Sequence, residues 1–189
     1  MALKSVPKGF ARTDATHLGD NVFTLIGKDW MLISAAGPRD PHDKTDYAVN
    51  TMTASWGTMG VLWNKPVCIC FIRPQRYTFD IACNASRLSF SFLPEEYRKA
   101  LNFCGSHSGR EGDKFAASGL TKAFAEIEQG DPVPFAGESR LVVVGKKLYE
   151  DDLRACCFLD TDALKHYEHR DYHRFFVCEI EDVLIRSET

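Results

Sequence analysis

With 189 residues, of which 44% are hydrophobic, 12% aromatic and 26% charged, the chain can bury one sizeable core, which excludes a disordered, collagenous or membrane-spanning protein and favours a single domain. A net charge of −3, with Lys and Arg dispersed along the chain, leaves no basic footprint for a nucleic-acid backbone. Seven cysteines form an odd set without framework spacing and read as reduced thiols of a cytoplasmic protein, and neither a signal-peptide-like opening nor a long apolar run predicts secretion or membrane insertion.

Up to about Gly19 the chain is polar and broken by Pro7 and Gly9, a polar extension to a single domain over residues 1–189. Val22, Phe23, Leu25 and Ile26 then predict a first strand and Trp30 to Ala36 a second, with Gly27-Lys28-Asp29 as the turn. Gly37 to Asp46 reads as a solvated loop, since it is crowded with prolines and charges. Between Tyr47 and Ile72 the runs AVNTMTAS, TMGVLW and VCICFI predict successive antiparallel strands, separated by Trp56-Gly57 and by Asn64-Lys65-Pro66. QRYTFDIACNA has helical spacing at Tyr77, Ile81 and Ala85, and Leu88 to Leu93 returns to a strand. PEEYRKALNFCG predicts a helix opened by Pro94, with Glu95 and Glu96 in its first turn and Gly105 at its stop. LTKAFAEIEQG predicts a third helix ending at Gly130. SRLVVVGKKLYEDDL, RACCFLD and HRFFVCEIEDVLI then predict strands, with helical DALKHYEH between the last two. Strands that follow strands, about eight in all, argue for a mainly β class, a closed or nearly closed antiparallel β-barrel with short helices rather than a parallel α/β sheet.

There is no G-x-G-x-x-G after a strand, no P-loop, no G-x-S-x-G and no H-E-x-x-H. A redox cofactor would therefore need a pocket of strand-end hydroxyls, backbone N–H groups and cations. In the run from Asn50 to Gly57, alternation puts Asn50, Met52 and Ala54 on one face and Thr51, Thr53 and Ser55 on the other, before Trp56 and Gly57 turn the chain. Its small side chains would admit a flat ring, although the same residues also compose an ordinary Thr-rich strand. Arg73, Arg76, Tyr77 and Thr78 set two guanidiniums beside a hydroxyl and a helix start, which suits either a phosphate monoester or a solvated helix N-terminus. The loop from Cys104 to Phe115, with Ser106, Ser108 and Lys114, either closes over an anion or simply connects two helices through solvent.

Cys68 and Cys70 share a face of an apolar strand, Cys156 and Cys157 are adjacent, and all read as inert buried thiols. His166, His169 and His173 have a spacing that would put three ligands on one helix face. The strand character of HRFFVCEI draws His173 away from that face, and no metal site is expected.

The run NTMTASWGTMGVLWNKP, followed by RPQRYT and CGSHSGREGDKF, resembles the flavin reductase-like, FMN-binding split-barrel family, and within it the flavoredoxin-like members, over roughly Val22 to Val183. The resemblance implies an antiparallel split barrel with extra helices, a homodimer, and FMN held noncovalently near the dimer interface. It lays Asn50, Thr51, Met52, Thr53, Ala54, Ser55 and Trp56 along the flavin ring and Arg73, Arg76, Tyr77 and Thr78 on the phosphate side. Ser106, Ser108 and Lys114 complete the site, and Phe176 adds an aromatic contact from the last strand. Similar proteins often carry a cysteine just before the Lys-Lys-Leu-Tyr segment, where this chain has Gly145, so no thiol role is carried over there. The implied activity is that of an NAD(P)H-dependent oxidoreductase passing electrons through FMN to a small-molecule or protein acceptor. A flavoredoxin-type electron-transfer protein reduced by a protein partner, or a nonenzymatic FMN-binding module, are the alternatives. Hydride transfer to flavin N5 needs no side-chain acid or nucleophile, so no catalytic residue is assigned.

Overall fold

The Val-, Ile- and Phe-rich runs form strands because branched and aromatic side chains pack well on a pleated surface. A computed structural model describes residues 3–187, the side chain of Lys44 excepted, so the ends of the expected domain at 1–2 and 188–189 lie outside the described residues. The strands are β1 (Phe10–Thr13), β2 (Met31–Asp40), β3 (Asp43–Ala54), β4 (Gly57–Leu62), β5 (Lys65–Ile72), β6 (Arg87–Phe92), β7 (Lys122–Ala125), β8 (Val133–Ala136), β9 (Leu141–Asp152) and β10 (Arg174–Arg186). The α-helices are α1 (Val22–Thr24), α2 (Thr78–Asn84), α3 (Arg98–Ser106) and α4 (Lys114–Ala117).

One antiparallel sheet runs β3-β2-β6-β9-β10-β5-β4, and β7 and β8 form a separate ribbon. Strand β10 is its spine, with β9 along one edge, while the other edge takes β5 over Arg174 to Glu179 and β1 over Val183 to Arg186. The two ends of the path are β3 and β4, yet only Ser55 and Trp56 separate them in the chain. Ala54 and Gly57 therefore lie within about 11 Å of one another, and the sheet has to curl until its ends meet. The result is the expected antiparallel split barrel, with Ser55 and Trp56 at the seam.

Alternate residues fill the barrel: Ile33 and Ala35 from β2, Met52 and Ala54 from β3, Cys68 and Cys70 from β5, Phe90 from β6 and Phe176 from β10. The opposite faces of β9 and β10 carry Val142, Val144 and Leu184 onto Phe135 of the ribbon. Leu32 on the outer face of β2 packs on Leu101 and Cys104 of α3. Strands covered on both faces thus read as continuous apolar runs.

Several elements differ from expectation. The NVFTLIG segment is not a strand: Asn21 Oδ1 caps the Phe23 and Thr24 N–H groups, and helical spacing buries Leu25 and Ile26 while leaving Phe23 89% exposed. Gly37 to Asp46 is a hairpin rather than a loop, with Pro41 and His42 between β2 and β3 and an Arg39–Asp46 ion pair across it. The next turn falls on Trp63 and Asn64, both at positive φ, and Lys65 and Pro66 belong to β5. The expected third helix is β7, paired with a β8 that carried no signal, and β1 lies in the polar extension. Gly105 sits inside α3 rather than stopping it. Strand-like RACCFLD is a 3-10 turn at Ala155–Cys157, and DALKHYEH is another at Ala163–Tyr167. Cys68 and Cys70 are buried, which raises their thiols well above the usual range, whereas Cys156 and Cys157 are exposed, contrary to expectation. Among the described residues no His/Cys/Asp/Glu group could hold a metal ion, and no helix is long and apolar enough to cross a membrane.

Candidate functional site

The end of β3 alternates as its sequence dictates, but its polar groups turn inward. Asn50 Nδ2 donates to Thr78 Oγ1 of α2 at 2.8 Å, and Met52 and Ala54 enter the barrel core. On the other face, Thr51 Oγ1 accepts from Ser34 Oγ at 2.9 Å, and Thr53 Oγ1 donates to the Leu101 carbonyl of α3 at 2.5 Å. The expected row of free hydroxyls is therefore engaged internally, where it clamps α3 to β3. The surface of the seam is made instead by Ser55 and the Trp56 indole. Because β3 ends the sheet, one backbone edge of it has no strand partner among the described residues.

Two cavities of about 170 Å³ each open along this edge. One lies between Met52 to Trp56 and a wall of Phe71, Arg73, Arg76 and His173. The other lies between Arg76 to Thr78 and the loop Ser106 to Gly109. They share Met52 and Arg76 and so form one cleft.

The second cavity is cationic. Arg76 Nη1 donates to the Gly105 carbonyl at 2.7 Å, and the Arg110 guanidinium lies 5.2 Å from the Tyr77 ring centroid. Neither arginine has a carboxylate partner among the described residues, whereas Arg39, on the same ring, is paired with Asp46. Gly109 backs directly onto β3 and α2: a Cβ there would lie 2.4 Å from Asn50 Oδ1 and 2.5 Å from Tyr77 Cδ1. Ser106 Oγ donates to the Asn102 carbonyl at 2.9 Å, and Ser108 Oγ accepts from the Arg110 N–H at 3.2 Å. Lys114 is behind this loop rather than in the cleft. It is 5% exposed, donates to the Cys104 and His107 carbonyls at 2.7 and 3.3 Å, and is pulled down to about 8 by burial.

The far wall comes from the connection between β9 and β10. Arg73 donates to Asp171 and to the His166 carbonyl, tying that connection to the end of β5. His173 is only 7% exposed, and its Nδ1 is 2.9 Å from the Tyr167 hydroxyl. Burial pushes it down to about 4, with Arg73 and Arg76 adding to the effect and Asp171 opposing it. Trp56 stands between His166 and His173, each ring centroid 5.2 Å away. Phe176 is fully buried inside the barrel beneath the Lys147 ammonium and does not reach the cleft; Phe71 of the neighbouring strand does. Phe71, Tyr167 and His173 were missed as a group, and no motif spacing marks them.

The family profile for the flavin reductase like domain matches residues 29–189. The chain belongs to the flavin reductase like family. An FMN-binding domain of a flavin reductases-like enzyme from Shewanella baltica OS155 is similar in structure at 13% identity and a TM-score of 0.62, over 94% of this chain and 77% of that one. Flavoredoxin of Desulfovibrio vulgaris (Miyazaki F) matches at 19% identity and 0.61, over 92% and 76%. The FMN-binding protein of Thermus thermophilus, solved with p-hydroxybenzaldehyde, matches at 20% and 0.58, over 93% and 91%. At these identities the likeness is one of fold. No curated protein sequence matches the chain.

Proposed function

We propose that the chain holds FMN noncovalently in this cleft and acts as an NAD(P)H-dependent flavin reductase-like oxidoreductase, passing electrons from NAD(P)H through FMN to an acceptor. The observation that carries the reading is the cradle at Gly109. Here backbone takes the place of a side chain beside two guanidiniums that have no carboxylate partner among the described residues, so a dianionic phosphate monoester can be met by N–H donors and cations at once. Arg76, Tyr77, Ser106 and Ser108 are placed to surround the phosphate. Met52 to Trp56 offer a wall for a flat ring, with a backbone edge that has no strand partner among the described residues for its polar rim and an indole at the end. Asn50, Thr51, Thr53, Thr78 and Lys114 act from behind as positioning groups, Arg73 holds the far wall, and Phe176 is a core residue. Bound there, FMN supplies the redox chemistry, taking up hydride and releasing electrons.

A homodimer fits the apolar surface of the end strand, where Val61 is 79% exposed beside Trp63. Free thiols throughout the described cysteines fit a reducing cytoplasm. The test is reconstitution with FMN followed by anaerobic stopped-flow mixing with NADH and NADPH. Stoichiometric flavin that bleaches supports the reductase. FMN that binds and stays oxidised points to a flavoredoxin-type carrier or a binding module, and failure to take up FMN refutes the assignment.

A further inference from the structure

We propose that Tyr167 and His173 form a proton relay serving an electron acceptor whose reduction places negative charge on an oxygen, such as a quinone or a conjugated carbonyl. The inference rests on the placement of FMN in the cleft. It begins from a buried titratable pair that electron transfer alone does not use. His173 stands in the cleft wall, its ring 5.2 Å from Trp56 and 6.4 Å from Phe71, with Arg73 and Arg76 beside it. Behind it the Tyr167 hydroxyl is 2.9 Å from Nδ1, and Tyr167 is itself buried against Phe158 and Tyr172.

The groups facing the pair are Arg73 and Arg76 from the segment after β5, Trp56 from the seam, and His166 and Asp171 from the connection before β10. Of these only Asp171 is acidic, and its Oδ2 already accepts from Arg73 and Gln75. In such surroundings the imidazole is neutral and carries one N–H. With the Tyr167 O–H donating to Nδ1, that N–H belongs to Nε2, the nitrogen left to face the cleft. When an acceptor takes two electrons that originate in NAD(P)H, its oxygen takes the Nε2 proton while Nδ1 takes the proton of Tyr167. The phenolate left behind is stabilised by the Arg73 guanidinium, 5.2 Å from its ring centroid, until Nδ1 returns its proton to it as water entering the cleft reprotonates Nε2. The relay ends unchanged, one solvent proton having passed to the acceptor oxygen.

A pair serving only to pin the connection onto the barrel would not produce these readouts. FMN titration comes first, and a chain that takes no FMN fails there, overturning the reading beneath the relay before any turnover is measured. Imidazole ¹⁵N NMR of the FMN-loaded protein then locates the proton, which is expected on Nε2 throughout the neutral range; a proton on Nδ1 overturns the relay. Tyr167→Phe is expected to lower kcat for menadione by about a hundredfold relative to kcat for ferricyanide, which takes electrons without protons. An unchanged ratio overturns the proposal. Should Tyr167→Phe fail to fold, the wild-type solvent isotope effect decides: an effect with menadione and none with ferricyanide supports the relay, and equal effects refute it.

Discussion

Replacing Gly109 by alanine adds a single methyl group where the structure has no room for it. The new Cβ would lie 2.4 Å from Asn50 Oδ1, 2.7 Å from Asn50 Cγ and 2.5 Å from Tyr77 Cδ1, roughly 1 Å inside ordinary van der Waals contact at each. Asn50 cannot yield, because its amide donates to buried Thr78, and Tyr77 is held between the Arg39 and Arg110 guanidiniums. The loop has to withdraw instead, carrying Ser108 and Arg110 away from Arg76. Its root stays fixed, since Lys114 holds the Cys104 and His107 carbonyls. The overpacking costs about 1–3 kcal/mol, and a charge-assisted hydrogen bond lost to the phosphate costs a similar amount. FMN affinity is therefore expected to fall by roughly ten- to a hundredfold, and the apoprotein's melting temperature by several degrees at most. The assay is flavin fluorescence quenching by the apoprotein, with riboflavin as the comparator that lacks a phosphate. Wild-type affinity for FMN in Gly109→Ala, or equal losses for FMN and riboflavin, would refute the cradle.

Arg76→Gln should weaken FMN by about tenfold or more through loss of a charge-assisted contact while leaving riboflavin binding near the wild-type value in the same titration. Phe176→Ala removes a fully buried ring and should destabilise the barrel by about 3–5 kcal/mol in urea unfolding; a loss below about 1 kcal/mol would contradict its place in the core. His173 titrates near 6.5 unfolded and about 4 folded, so the unfolded chain binds more protons between those values and stability drains away as pH falls through them. The expected loss between pH 7.5 and pH 5 is about 2 kcal/mol, visible in urea midpoints and absent in His173→Gln.

Strands were legible wherever both faces of the sheet are covered, as in Met31 to Ala36 of β2 and Leu141 to Gly145 of β9, where burial on both faces leaves nearly unbroken apolar runs. Short amphipathic runs were not: the apolar residues of NVFTLIG suit a period of two or of 3.6, and the cap at Asn21 is the only local cue that decides. LTKAFAEIEQG is rich in helix formers, yet pairing with Val133 to Ala136 overrides that preference. In the cleft the motif residues were found but their roles were not. Whether Thr53 offers its hydroxyl to a ligand or to Leu101 depends on α3 crossing β3, a contact between distant segments that strand alternation cannot foresee. Likewise, nothing in the spacing of the C-terminal histidines places Trp56 between two of them.

The spine of the sheet is also the last of the ten described strands in chain order. Until β10 is synthesised, β5 and β9 each lack the neighbour between them, and β1, the first strand described, has no ladder partner at all until Val183 to Arg186 emerge. Such distant pairing makes folding slow. The cleft follows the same schedule, for its far wall at His173 immediately precedes β10. A chain whose β10 has not yet paired therefore has no formed cleft, so that cofactor loading waits on the closing of the sheet.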